Sequence, residues 1–213
     1  MRKSVRILLL PAVVALVFAG AAPAGATEQV VLDQGHVDVI GVAFEDGALN
    51  LHVHDEEADV EYAPHEVVLV AKPGARTAVP DDPAFAFLGA PGDPVWVLPE
   101  IQDPELLWPG FGLEEVDSGI FVDDTVRVSL LAAYGPGDFS IFTVGTAGPT
   151  ILADTGDGLP DSIDLPAGAH LHANWAFEGA GDYVFLVRAS GRLASTGETV
   201  RSNFGLYHFK VLS

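Results

Sequence analysis

Two H-x-H units, His52-Val53-His54 and His170-Leu171-His172, hold four of the seven histidines in the chain, each inside an apolar, strand-like run. Residues two apart on a strand share a face, so each unit sets two imidazoles side by side. Paired imidazoles ligate borderline divalent cations, and a carboxylate can complete such a site. In the second unit Leu171, Ala173, Trp175 and Phe177 read as the core face, which leaves His170, His172 and Asn174 together on the other.

The first unit lies in a hairpin whose register can be worked out. Asp46-Gly47 is a strong two-residue turn signal. Pairing around it sets Phe44 opposite Leu49 and Val42 opposite Leu51, all apolar and on one face. One extra residue near Ile40-Gly41, where glycine suits a bulge, keeps the faces consistent. Val39 then opposes Val53, Asp38 opposes His54 and Ile40 opposes His52. His36 lies diagonal to His54, within reach of long side chains. The candidate metal ligands are therefore His36, Asp38, His52, His54, His170 and His172, with Asp38 as ligand or as orienter of an imidazole. A tight zinc site needs three or four protein ligands and each unit offers two nitrogens, so the two units are expected to meet in one site. The competing reading makes all of these solvent-facing polar positions on a sheet.

Other candidates carry less. His65 follows Pro64 in a loop and reads as exposed, and His208 reads as a half-buried, satisfied histidine. Asp154-Thr155-Gly156-Asp157-Gly158-Leu159-Pro160-Asp161 has the look of a calcium loop, but Gly156 stands where a ligand is needed, so a turn is expected. There is no G-x-S-x-G elbow, no H-E-x-x-H and no glycine-rich phosphate loop, and the chain is read as non-enzymatic. Carboxylates are abundant enough to leave a glycosidase pair open. Trp96, Trp108 and Phe111 fit a sugar platform or, more commonly, buried loop anchors.

The elements that must position these residues are short. Apolar or alternating runs recur, among them Val37–Phe44, Leu49–His54, Val126–Ala132 and Phe204–Val211, separated by Gly/Pro turns. No segment of a dozen residues shows helical periodicity, and Pro104 to Leu107 offers one helical turn at most. The expected fold is all-β, an antiparallel β-sandwich of immunoglobulin-like or jelly-roll-like type with little or no helix. Residues 27–213 are expected to form a single domain.

Composition narrows the function classes. The 213 residues contain no cysteine, which removes disulfides, thiolate metal sites and cysteine nucleophiles. A formal charge of −20 argues against nucleic acid, whose binding needs Lys and Arg at the phosphates. Arg2, Lys3 and Arg6, the apolar stretch Ile7 to Gly20 and the A-x-A site at Ala24-Gly25-Ala26 have the three-part pattern of a secretory signal peptide over residues 1–26. The apolar run is short for a bilayer span. Cleavage before Thr27 removes three basic residues and no acidic ones, so the mature chain is still more acidic. Its surface attracts cations. No hydrophobic tail or sorting motif follows the last strand-like run, so the mature chain is expected to carry no membrane span.

The string Pro166-Ala-Gly-Ala-His170-Leu-His172-Ala-Asn174-Trp175-Ala-Phe177-Glu-Gly-Ala-Gly181-Asp-Tyr183 resembles the actinobacterial surface-anchored repeat domain, marked by H-x-H-x-N-W-x-F and then G-x-Y. Upstream, Gly35-His36-Val37-Asp38, the Asp46-Gly47 turn with Leu51-His52-Val53-His54, and Trp96-Val97-Leu98-Pro99 are similar to the choice-of-anchor M domain. The resemblance implies a secreted or cell-wall protein. Relatives are often encoded with ABC-type importers whose binding proteins look like those for zinc or manganese, which makes such a binding protein, or a cell-wall component, the expected partner. The expected function is capture of a divalent transition metal, zinc first, or its delivery to an importer. The alternative is a surface interaction module that binds cell-wall glycan or a protein without metal.

Overall fold

The computed structural model describes residues 29–213, so the signal peptide expected at residues 1–26 lies outside the described residues. In chain order the strands begin with β1 (Val30–Leu32), β2 (Gly35–Glu45), β3 (Ala48–Asp55), β4 (Val60–Tyr62), β5 (Val67–Ala71) and β6 (Arg76–Ala78). Then come β7 (Pro94–Leu98), β8 (Leu107–Gly112), β9 (Phe121–Tyr134), β10 (Phe139–Gly145), β11 (Gly148–Asp154) and β12 (Asp161–Pro166). The last are β13 (His170–His172), β14 (Asn174–Phe177), β15 (Gly181–Leu193), β16 (Thr199–Arg201) and β17 (Gly205–Val211). Helix among the described residues is limited to three short 3-10 turns, each opened by a proline at Pro64, Pro73 or Pro83, where the missing N–H costs nothing. The segment before Leu107 is a turn closed by Leu106 N–H on the Asp103 carbonyl, not a helix.

The all-β, sandwich-like fold expected from the sequence is what forms. Sheet I runs β1-β5-β17-β15-β9-β12, with β16 on β15; sheet II runs β11-β10-β14-β7-β6; sheet III runs β13-β8-β2-β3-β4. Pairing is mostly antiparallel, with parallel exceptions at β1–β5, β5–β17 and β2–β8.

Alternation along β15 turns Tyr183, Phe185, Val187 and Ala189 into the core, and β17 does the same with Tyr207, Phe209 and Val211. These side chains of sheet I meet both other sheets. Phe185 packs on Phe139 of β10 at 4.4 Å between ring centroids, Phe209 on Trp175 of β14 at 5.6 Å, and Phe121 of β9 on Phe44 of β2 at 5.1 Å. Each such buried aromatic contributes about 1.5–3 kcal/mol from the area removed from water.

The second histidine unit sits where sheets II and III join. His170–His172 forms β13 at the edge of sheet III, Asn174–Phe177 forms β14 inside sheet II, and only buried Ala173 lies between them. Trp175 is 2% exposed and touches Phe111, Phe139 and Phe209, one from each sheet. Trp175→Ala is expected to lower stability by about 3–5 kcal/mol, read from urea unfolding. A loss under about 1 kcal/mol, the scale of a volume-conserving swap, would show that Trp175 is not the joint's anchor.

Candidate metal centre

β8 lies between β2 and β13, parallel to the first and antiparallel to the second. The register puts Gly110 level with Asp38 on one side and His172 on the other, and Gly112 level with His170. Because neither glycine carries a Cβ, side chains from the flanking strands, about 10 Å apart, can lean inward over the β8 backbone. A Cβ at Gly110 would stand 2.7 Å from Asp38 Oδ1 and 2.9 Å from His172 Cε1, and one at Gly112 would overlap Asp38 Oδ2.

Over this glycine floor three imidazoles converge. The Nε2 atoms of His36 and His170 are 3.0 Å apart, and each is 3.1 Å from His172 Nε2. Asp38 Oδ1 completes the set, 3.4 Å from His36 Nε2 and 3.2 Å from His170 Nε2. A tetrahedron with zinc-to-ligand bonds of about 2.0–2.1 Å has edges of about 3.3–3.4 Å. Five of the six donor-to-donor distances thus fall at 3.0–3.4 Å, and all four residues offer donor atoms within 4.8 Å of one another, so together they could hold one ion.

The proton positions support the same conclusion. His172 Nδ1 lies 3.0 Å from the Pro109 carbonyl oxygen, which only accepts, so Nδ1 carries the proton and Nε2 presents its lone pair. His170 Nδ1 contacts the Glu114 carboxylate, which fixes the same tautomer. At least two of the three clustered nitrogens are therefore acceptors facing one another. Asp38 is 2% exposed, and its Oδ1 has no hydrogen-bond donor. Burial raises the Asp38 pKa, which the His170 and His36 imidazoles partly offset. Burial also pushes the His172 imidazole down to about 4, with His36 and His170 adding to the effect. Lone pairs gathered beside a buried carboxylate are a donor set that could hold a cation.

Further contacts fix the ligands. The Trp108 ring stacks on His172 at 3.5 Å and 7°. Its indole N–H donates to the Glu100 carbonyl, and Glu100 in turn is held by Asn174, whose Oδ1 accepts from Glu100 N–H and whose Nδ2 donates to Glu100 Oε2. Asn174, on the same strand face as the histidines by sequence, thus acts through Glu100 and Trp108 and stands outside the donor cluster.

Of the six candidate ligands, His36, Asp38, His170 and His172 come together and His52 and His54 do not join them. The expectation that the two H-x-H units share one site is corrected by the strand order. β3 is three positions from β13 in sheet III, about 14 Å, and His36 and Asp38 of the intervening β2 fill the places next to His170 and His172. The hairpin has the expected pairs Phe44–Leu49, Val42–Leu51 and Asp38–His54, but His52 faces Gly41, and its ring lies over that glycine, where Ile40 was expected to face it. The irregularity falls between Asp38 and Gly41. His52 and His54 instead line a pocket of about 350 Å³ with Asp38, His170, Glu56, Glu114 and Glu115. Burial lowers the His52 pKa, and burial followed by neighbouring Glu61 raises that of Glu115.

The minor candidates sort as follows. His65 is exposed in a 3-10 turn, and His208 is half-buried with Nε2 2.9 Å from Asp182. Asp154 Oδ1 accepts from the Gly156 N–H, which makes that segment a turn. Trp96 and Phe111 are buried, Trp96 donating to the Leu212 carbonyl, so neither offers a sugar platform. Sequence reasoning missed the Gly110-x-Gly112 floor and Glu114. The signal for the floor was present: two glycines at the same spacing of two as the histidines they lie beneath.

Comparison with protein-family models, with curated proteins and with solved structures finds no match to this chain.

Two outcomes are expected. Gly112→Ala displaces the Asp38 carboxylate, and its effect should be confined to metal binding, with a loss of about 10–100-fold by calorimetry; unchanged affinity would remove the glycine floor from the site. Separately, a folded-state pKa of about 4 for His172, below the ordinary 6.5, means the unfolded chain binds this proton first. Metal-free protein should lose stability as pH falls from about 6.5 to about 4. Thermal unfolding should show a larger fall for the wild type than for His172→Gln, and an equal fall would clear His172 of the effect.

Proposed function

We propose that the chain is a secreted, non-catalytic β-sandwich protein that binds one zinc ion through His36, Asp38, His170 and His172, for capture of the metal or its delivery to an ABC-type importer. The observation that carries this reading is the meeting of three Nε2 atoms, about 3 Å apart, beside a buried carboxylate oxygen with no donor. Four protein ligands close the coordination shell, which suits holding an ion and leaves no position for a hydrolytic water. Nitrogen-rich ligation favours zinc and its neighbours over calcium or magnesium.

Charge distribution supports a cation as ligand. No Lys or Arg lines the pocket beside the centre, whereas Arg127, Arg188, Arg192, Arg201 and Lys210 all lie on strands of sheet I. Secretion rests on the pattern of residues 1–26, and membership of the surface-anchored family on the H-x-H-x-N-W-x-F string. The importer as partner follows from that resemblance.

The alternative, a surface interaction module for cell-wall glycan or protein, draws on the outer face of sheet I. There Tyr134, Val184, Phe204 and Leu206 are exposed, and the Arg188 guanidinium lies over the Phe204 ring.

Untagged protein purified without added metal and analysed by elemental mass spectrometry is expected to hold about one zinc per chain. His172→Ala should weaken binding about 100-fold or more, while His52→Ala should leave equilibrium affinity near that of the wild type. A wild-type protein that neither contains nor binds zinc would leave the interaction module standing.

A further inference from the structure

The first histidine unit has no place in the centre, yet it stands beside it. We propose that His54, Glu56 and Asp38 form a second, exchangeable site for the same class of divalent cation, through which the ion enters and leaves the four-residue centre; this rests on the metal reading above.

The pocket touches the centre through only two of its four ligands, Asp38 and His170. On the other side Trp108 covers His172, and the pocket offers an ion a way in past Asp38 and His170. The walls along that way are His52, His54, Glu56, Glu114 and Glu115. Two further donor groups stand there. Atoms of Asp38, His54 and Glu56 lie within 4.8 Å of one another, and so do atoms of His52, Glu61 and Glu115. Asp38 belongs both to the centre and to the first of these groups. Its Oδ1 faces the imidazoles of the centre, while its Oδ2 lies over Gly112, a residue that lines the pocket. A carboxylate that belongs to two neighbouring donor groups can hand an ion across by rotating, without releasing it to water.

The second group binds less tightly for identifiable reasons. It offers three donors, which leaves positions for water and for incoming ligands. His54 is already engaged there, with Nδ1 2.9 Å from Glu56 and Nε2 3.6 Å from Asp59. Displacing those contacts costs part of the binding energy. Weak binding next to tight binding is what transit requires.

The test is kinetic. Zinc uptake by the wild-type protein, and zinc release to a fluorescent chelator, are followed by stopped flow and compared with Glu56→Gln and with the His54→Ala/Glu56→Gln double variant. Equilibrium affinity is measured in parallel, and folding is checked by circular dichroism. Both side chains border the pocket, outside the core, and Glu56→Gln keeps shape should the double variant misfold. Uptake and release are both expected to slow by about tenfold or more, with affinity within about threefold of wild type, because loss of a group beside a metal site costs about 10–100-fold and here that loss falls on the path. Unchanged rates would overturn the proposal. So would faster release with a matching loss of affinity, which would make the pair a support of the centre. A wild-type protein that takes up no zinc overturns the metal reading itself, a result separable from the other two.

Discussion

A carboxylate buried beside three imidazoles, with no donor on one of its oxygens, is the interaction on which the site depends. Leaving such a charge unpaired costs several kcal/mol. Protonating it would relieve the cost but would also remove the attraction to a cation. Asp38 is held in that position by its place on β2, two strands from β13, and by the missing side chains of Gly110 and Gly112 between them. A single Cβ on β8 would separate the halves of the donor set. The site is thus defined as much by two absent side chains as by four present ones.

The core and the site share supports. Trp175 fixes β14 among the aromatics of all three sheets, Asn174 on the same strand holds Glu100, and Glu100 receives the indole N–H of Trp108, which stacks on His172. This chain of contacts runs from the centre of the hydrophobic core to one ligand ring. The rings are thus placed by packing that folding supplies.

Local order was legible in the sequence and long-range order was not. The Asp46-Gly47 turn specified the β2–β3 hairpin, and alternation specified which side of β13 and β14 is core, because both depend on residues a few positions apart. The parallel pairing of β2 with β8 joins residues about seventy positions apart with no turn between them, and parallel neighbours leave no local signature comparable to a hairpin's. Without that pairing, His36 and Asp38 read as companions of His54. With it, they become companions of His170 and His172. Gly110 and Gly112 were visible as letters, but their meaning depends on which strands flank them.

The single residue between β13 and β14 has a consequence for how this stretch can change over time. His172 and Trp175 face opposite ways because Ala173 and Asn174 are all that separate them, and strand geometry counts residues in twos. Adding or deleting one residue at Ala173 would exchange the imidazole side for the indole side relative to one of the two sheets. A change of side chain here leaves that relation intact while a change of length does not, so the clustered imidazoles and the core aromatics form one unit of fixed spacing.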